Sequence, residues 1–400
     1  MDAPTVVLIT GANSGLGYAI ACRVIVEFFS HVPPSAVEDT SDIRELVVCL
    51  TTRSTKKALA AISDLNTWLD SRLTDDTRSR VRLDHVTIDL ASLLSVAAAA
   101  AELRDRYNRI HYVFCNAAVV PFVRIDWLQA ARQFAAGFVD AMTAPKYKVQ
   151  GVGWLTDTHQ TLLPPLSSQE DSASTASELG AAFTANVFGH YYLLHEIMQQ
   201  LHAPKVKSEP SRIIWIGSIE SNPSSFNLED IQGIRSTKPY ESSKTLTDIL
   251  VLGSHLPDTQ EYFRSYTAVP ADMISNSYTT ATAPPIFLIA HPGIVSTTIV
   301  ELPWWQSRAK VIGFWLCKLF GSPWHCIDPF IGANAPVWLA ISPHIEMLKG
   351  RKWGSACDRK SGEFVLETKV DADVAAQSML LWSQLEDLRL LWKSRLGSRP

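Results

Sequence analysis

Tyr240-Glu241-Ser242-Ser243-Lys244 sets a phenol and an ammonium four residues apart. On a helix those positions share a face, so both groups point the same way. A phenol of pKa ~10 is a poor acid at neutral pH, and a neighbouring cation lowers that value. Tyr240 and Lys244 are therefore candidates for proton transfer, and the lysine can also hold a ribose. The same spacing arises by chance on amphipathic helices, so its surroundings matter. Ser218 ends the apolar run 213–216, where a hydroxyl can hydrogen-bond a carbonyl. Asn186 lies in a helical stretch although asparagine is a weak helix former, which points to a packing or functional reason.

A second constellation suits a dinucleotide. Thr10-Gly11-Ala12-Asn13-Ser14-Gly15-Leu16-Gly17 follows a short apolar run and opens a helical pattern. Glycines at such a turn let the backbone approach a pyrophosphate, and the helix N-terminus offers free N–H groups. The candidate contacts here are Thr10, Gly11, Asn13, Ser14, Gly15, Leu16 and Gly17. The next apolar run ends Thr51-Thr52-Arg53, without the acid that usually accepts from a ribose hydroxyl. An arginine fork suits a 2′-phosphate, so NADPH is expected over NADH. Asp89 either meets the adenine or caps the following helix. Asn116-Ala117-Ala118 closes a further run, where small residues admit a cofactor. Pro292-Gly293 closes another, and Val295, Ser296, Thr297 and Thr298 follow within reach of the carboxamide and phosphates.

These residues need a frame. Short apolar runs at 6–10, 46–50, 83–88, 112–115, 213–216 and 286–290 read as buried strands. Helical patterns at 16–29, 55–73, 92–107, 178–201 and 241–252 alternate with them. Strands apolar on both faces, alternating with helices, predict an α/β fold with a doubly wound parallel sheet. One domain is expected over 1–400, with insertions at 121–177 and 255–285 and an extension at 299–400. The chain has 36 basic and 40 acidic side chains, a net charge of −4, so nucleic-acid binding is not expected. The six cysteines form no C-x-x-C pair, and a reducing compartment is expected. The N-terminus lacks a basic region and cleavage site, so no signal peptide is expected. No metal site is expected.

In this fixed order the motifs resemble the short-chain dehydrogenase/reductase family, with its Rossmann-like fold. The resemblance runs from Val6 to about Thr298. It implies Tyr240 as acid–base, Lys244 as its partner and ribose ligand, Ser218 on the carbonyl, and Asn186 supporting a proton-relay water. Ser218 and Tyr240 are further apart than is usual in the family, so Ser221, Ser224 and Ser225 are rival candidates.

Further segments are similar to one branch, the 3-keto-steroid reductases of fungal sterol biosynthesis. These are Ile125-Asp126-Trp127 after the Asn116 motif, Gly321 to Asp328, Ala333-Asn334-Ala335-Pro336, and Lys352-Trp353-Gly354-Ser355-Ala356. That resemblance implies NADPH-dependent reduction of a 3-keto sterol to the 3β-hydroxysterol during C4 demethylation in ergosterol biosynthesis. It implies a sterol oxidase and a decarboxylase as partners. It also implies the cytosolic face of the endoplasmic reticulum membrane, peripheral or monotopic, with lipid droplets as a further place. Two alternatives stay open: another ketone, such as a triterpenoid, or a non-catalytic scaffold for other sterol enzymes. The segment 303–320 is rich in aromatic and apolar residues, with Arg308, Lys310 and Lys318 among them. It reads either as an interfacial helix on a membrane, with Trp304, Trp305, Phe314 and Trp315 against lipid, or as a substrate lid.

Overall fold

A computed structural model describes residues 4–30, 44–156, 179–204, 209–269, 282–297, 299–300 and 302–397. The insertion segment 157–177 and Thr298 fall outside them. The six expected strands form within a residue or two of their predicted ends. They are β1 (Thr5–Thr10), β2 (Leu46–Thr52), β3 (Val81–Thr87), β4 (Tyr112–Cys115), β5 (Arg212–Ile216) and β6 (Ile286–His291). Two more come from the extension, β7 (Lys352–Cys357) and β8 (Glu363–Thr368). The order is β8-β7-β6-β5-β4-β1-β2-β3, and only β8 runs antiparallel to its neighbour. The 299–400 segment thus also builds one edge of the sheet.

Alternate residues on each strand feed two separate cores, as a period of two requires. Val6 and Leu8 face the core beneath α3 (Leu93–Arg106), α6 (181–196) and α7 (Pro239–Gly253). Val7 and Ile9 face the core beneath α1 (Gly15–Ser30), α2 (Thr55–Asp70) and α9 (Asn334–Ile341). The sheet is wound on both faces, as its apolar strands imply. The order reverses between β1 and β4, and parallel sheets open a crevice at such a point, beyond the strands' carboxyl ends.

The described part of the first insertion, up to residue 156, is ordered around the crevice. It makes a hairpin of Phe122–Ile125 and Lys148–Gln150, with α4 (Trp127–Ala136) and α5 (Phe138–Thr143) between them. From the extension, α8 (Trp304–Leu319) packs on α5, where a Cβ at Gly313 would meet the Met142 side chain at 2.6 Å. The last helix, α10 (Val374–Gly397), lies on α7. Its Trp382 is fully buried among Tyr191, Phe263, Tyr266 and Phe287, with ring centroids 5.6–6.4 Å away.

Trp382 anchors α10 to the layer that carries Tyr240. Trp382→Ala is expected to lower the unfolding free energy by ~3–5 kcal/mol in denaturant titrations. A loss below ~1 kcal/mol would show that α10 is held by other contacts.

Candidate functional site

Gly11 and Gly15 have φ of 65° and 57°, a region that side-chain-bearing residues rarely adopt. A Cβ at Gly17 would lie 2.4 Å from the Gly11 carbonyl oxygen, so only glycine fits there. The turn is tied to the end of β4. Thr10 Oγ1 accepts from the Asn116 and Ala117 N–H groups at 2.9 Å each, and Asn116 Nδ2 donates to the Thr10 carbonyl at 2.8 Å. Thr10 is itself fully buried and holds the turn from behind. Its hydroxyl also meets His190 Nε2 at 2.8 Å. Burial holds that histidine's pKa down at about 3, so it is neutral.

The turn opens onto a cavity of about 1090 Å³. That is at the upper end of the ~300–1,000 Å³ of an ordinary ligand pocket. Of the predicted cofactor residues, Gly11, Asn13, Ser14, Gly15, Leu16, Gly17, Arg53, Asp89, Asn116, Pro292, Gly293, Val295 and Thr297 line it. Ser296 does not; its N–H donates to the Ile327 carbonyl instead. Asp89 does not cap α3. Ser92 does, accepting from Ser95 N, while Asp89 Oδ1 accepts from Ala91 N at 3.0 Å. Arg53 is exposed at the rim, and Lys57, one turn into α2, lines the same wall. Lys57 was not singled out in the sequence, where it is one of many surface lysines.

At the other end of the cavity stand Ser218, Tyr240 and Lys244. The residues between Ser218 and Tyr240 make two short 3₁₀ turns and return, so the long separation in sequence is looped out. The Ser218 side chain lies close enough to the Tyr240 phenol to act on its pKa, and its Oγ accepts from Glu220 N at 3.0 Å. The rivals lie elsewhere: Ser221 meets Thr245 Oγ1 at 3.2 Å, Ser224 is exposed, and the Ser225 carbonyl accepts from Ser236. None of the three lines the cavity.

Lys244 Nζ donates to the Ile216 carbonyl at 2.7 Å and lies 5.7 Å from the Tyr240 ring centroid. Burial lowers its pKa to about 8, with Asp248 opposing and Lys352 assisting. The phenol departs from the sequence expectation. Burial raises its pKa, the Glu220 carboxylate adds to that, and Ser218 only partly opposes. With burial and a carboxylate both raising its pKa, Tyr240 keeps its proton at neutral pH.

Asn186 does not line the cavity. It sits in a π-helical turn, Thr184–Phe188, within α6. Its side chain accepts from Val119 N at 2.7 Å and donates to the Val119 carbonyl and to Ser243 Oγ. Sequence reading missed Gln150, Lys148 and Glu220. Gln150 Oε1 accepts from Tyr240 N at 3.0 Å, capping the helix that carries the phenol. Lys148 pairs with Glu220 beside it. No spacing rule links these residues, because distant loops bring them together.

Phe122, Trp127, Phe134 and Met142 from the insertion and Trp305 and Phe314 from α8 line the cavity, together with the Lys148–Glu220 pair, Gln306 and Lys310. Phe314 is buried against this cavity, so it cannot also face lipid. Lys318 is buried too, donating to Ser361 Oγ at 2.6 Å. Trp304, Ile312, Trp315 and Leu319 are 73%, 61%, 53% and 62% exposed on the outer face of α8. The inner face of α8 lines the cavity, and its outer face carries an exposed apolar strip. Among the described residues no helix is long and apolar enough to cross a membrane.

The chain is 32% identical to a 3-keto-steroid reductase of Aspergillus fumigatus, over 99% of this chain and 96% of that one. It is 28% identical to a 3-keto-steroid reductase of Schizosaccharomyces pombe, over 98% of each. Among solved structures, a 3-oxoacyl-[acyl-carrier protein] reductase from Brucella melitensis matches at 14% identity. That match covers 88% of this chain and 95% of the other, with a TM-score of 0.48. No family model matches the chain.

Proposed function

The chain belongs to the 3-keto-steroid reductase family, and on that premise we propose that it reduces the 3-keto group of a sterol to the 3β-hydroxyl with NADPH. The observation that carries this reading is the meeting of Ser218, Tyr240 and Lys244 in one cavity with the glycine turn. A sterol is a large apolar body with one polar end, and the aromatic and aliphatic lining residues suit that body.

The crevice residues fit a nicotinamide dinucleotide, since a Cβ at Gly17 would fill the cradle and α1 has no acid in its first turn. Bound NADPH supplies the hydride. Ser218 directs its hydroxyl at the substrate oxygen. Tyr240, protonated at neutral pH, gives its proton to that oxygen as negative charge builds on it. Lys244 holds the ribose and, as a cation, supports the phenol. Asn186 joins the Val119 backbone to the helix of Tyr240, a positioning role in place of the relay-water contact that the resemblance implied. Arg53 and Lys57 favour a 2′-phosphate at the rim, where β2 ends without an acid.

A triterpenoid ketone would use the same groups, and the family relationship favours the sterol. A scaffold role alone would leave the three clustered groups without purpose. The ketone would come from an oxidative decarboxylation of a 3-hydroxy-4-carboxysterol, which places a sterol oxidase and a decarboxylase nearby. We further propose a peripheral place on the endoplasmic reticulum membrane, cytosolic face. Trp127 and Trp305 both line the cavity and are 60% and 51% exposed, so they stand at its mouth. The outer strip of α8 continues that apolar rim, and a sterol would enter from the bilayer there.

Tyr240→Phe keeps the ring and its packing. Reduction of a 3-keto sterol in detergent should fall at least ~100-fold while NADPH binds within a few-fold of wild type. Retention of more than about a tenth of turnover, with chemistry limiting, would overturn the assignment. The wild-type rate should hold below pH about 8 and fall above it, as Lys244 loses its proton. Arg53→Ala should raise the Michaelis constant for NADPH at least ~tenfold and leave NADH little changed, since it removes a charged hydrogen-bond partner. Equal effects on both cofactors would refute a 2′-phosphate contact. Replacing Trp304, Ile312, Trp315 and Leu319 with polar residues should release the protein from phosphatidylcholine liposomes in flotation, with NADPH binding intact. Continued flotation of the folded variant would place the membrane contact elsewhere.

A further inference from the structure

Tyr240, Lys244 and Asp248 recur at every fourth position of α7 and share one face. The first two line the cavity, while Asp248 lies one turn deeper and is fully buried. Lys352 reaches it from β7. Its Nζ donates to Asp248 Oδ2 at 2.7 Å and to the Ser218 carbonyl at 2.8 Å. The two side chains are 3% and 1% exposed. Thus two ammonium groups hold two carbonyls at the end of β5: Lys244 takes Ile216 and Lys352 takes Ser218.

Stability alone does not explain such a pair. Buried ion pairs recover little more than their own desolvation cost, and apolar residues of similar volume often do as well. Among the described residues Asp248 Oδ1 has no hydrogen-bond partner, a further cost. The location of the pair supplies a reason. Lys352 touches the backbone of the residue that meets the phenol, and Asp248 is on the helix that carries it.

We propose that Lys352 and Asp248 form a positioning pair for carbonyl reduction, clamping the Ser218 backbone to the Tyr240–Lys244 helix and setting a compensated charge pair behind the Lys244 ammonium. The proposal rests on the reductase reading given above. It also has an electrostatic consequence. The groups facing Lys244 are Asp248 and Tyr240 on its own helix, Lys352 on β7, Cys115 on β4 and His190 on α6. Burial keeps the Cys115 thiol and the His190 ring neutral. The two formal charges acting on Lys244 are therefore those of the pair, and they act in opposite senses.

The test uses the full chain as wild type, Asp248→Asn, Lys352→Met and the double variant. Lys244 ionisation is followed by pH-dependent reductive methylation, read by peptide mass spectrometry. The wild-type midpoint is expected near pH 8, about where burial leaves the lysine. Asp248→Asn should move it down by about half a pH unit or more, and Lys352→Met up by a similar amount. The double variant leaves no unpaired buried charge and should return the midpoint to within about 0.3 units. Turnover of a 3-keto steroid should fall at least ~tenfold in all three, with the Michaelis constant for steroid within about threefold. Should Lys352→Met not fold, Asp248→Asn and the double variant still decide. Midpoints that do not move, or that move the same way in both single variants, would overturn the charge role. Full turnover in the folded double variant would overturn the clamp. A wild-type chain that does not reduce the ketone would sink the reductase reading, while the methylation arm would still test the pair.

Discussion

At the end of β5 the Ile216 and Ser218 carbonyls each accept a hydrogen bond from a buried ammonium. The geometry of the reacting end depends on those two bonds. A strand end is where a parallel sheet stops constraining its backbone, yet Ser218 must stay within reach of the phenol. A charged donor in a desolvated site makes a stronger bond than a neutral one, and it keeps the strand end from drifting. The same bond fixes α7 from the other side, because Lys244 is both a donor to β5 and a neighbour of Tyr240. Gln150 completes the frame by taking the free N–H of Tyr240 at the start of α7, which opens with Pro239 in its first turn.

The sequence made the generic half of the molecule legible. Five of its six strands carry near-continuous apolar runs, β3 at the sheet edge being mixed, and the helices between them have plain periodicity, so the winding and the crevice followed. Tyr240, Lys244 and the glycine turn stand out in the sequence because each has a fixed local signature, whereas Ser218 has rivals that only the cavity lining separates from it. The remaining parts lack one. β7 reads Lys-Trp-Gly-Ser-Ala-Cys, and a lysine opening such a run looks like a surface residue until Asp248 is found opposite it. α10 mixes apolar and charged residues around its circumference, so its periodicity is weak, and only the Trp382 cluster shows which face is buried. Lys148, Gln150 and Glu220 come from segments separated by dozens of residues, and no local pattern joins them.

The lid illustrates a different limit. An interfacial helix and a lid are the same pattern in sequence: aromatic residues, aliphatic residues and scattered cations. In the structure the two descriptions fall on opposite faces of α8. Phe314 and Cys317 turn inward, while Trp304, Ile312, Trp315 and Leu319 turn outward. Lys318, which looked like an interfacial cation, is buried against Ser361 with Trp315 beside it. Packing partners decide such cases, and these come from α5 in the other insertion.

The ionisation of Tyr240 bears on the direction of the chemistry. A lysine one turn away suggested a phenol drawn toward its anion, the form that takes up a proton during oxidation. Here desolvation and the Glu220 carboxylate push the other way, and Lys148 pairs with Glu220. A phenol that stays neutral has a proton to give. In the proposed reduction, negative charge would grow on the substrate oxygen and the neutral phenol would supply its proton. Lys244 would then have a divided duty. It would support the transfer as a cation, yet burial has already brought its pKa down to about 8. A small change in the charges behind it therefore changes how much of it is protonated near neutral pH, which is why the residues behind the site matter as much as those lining it.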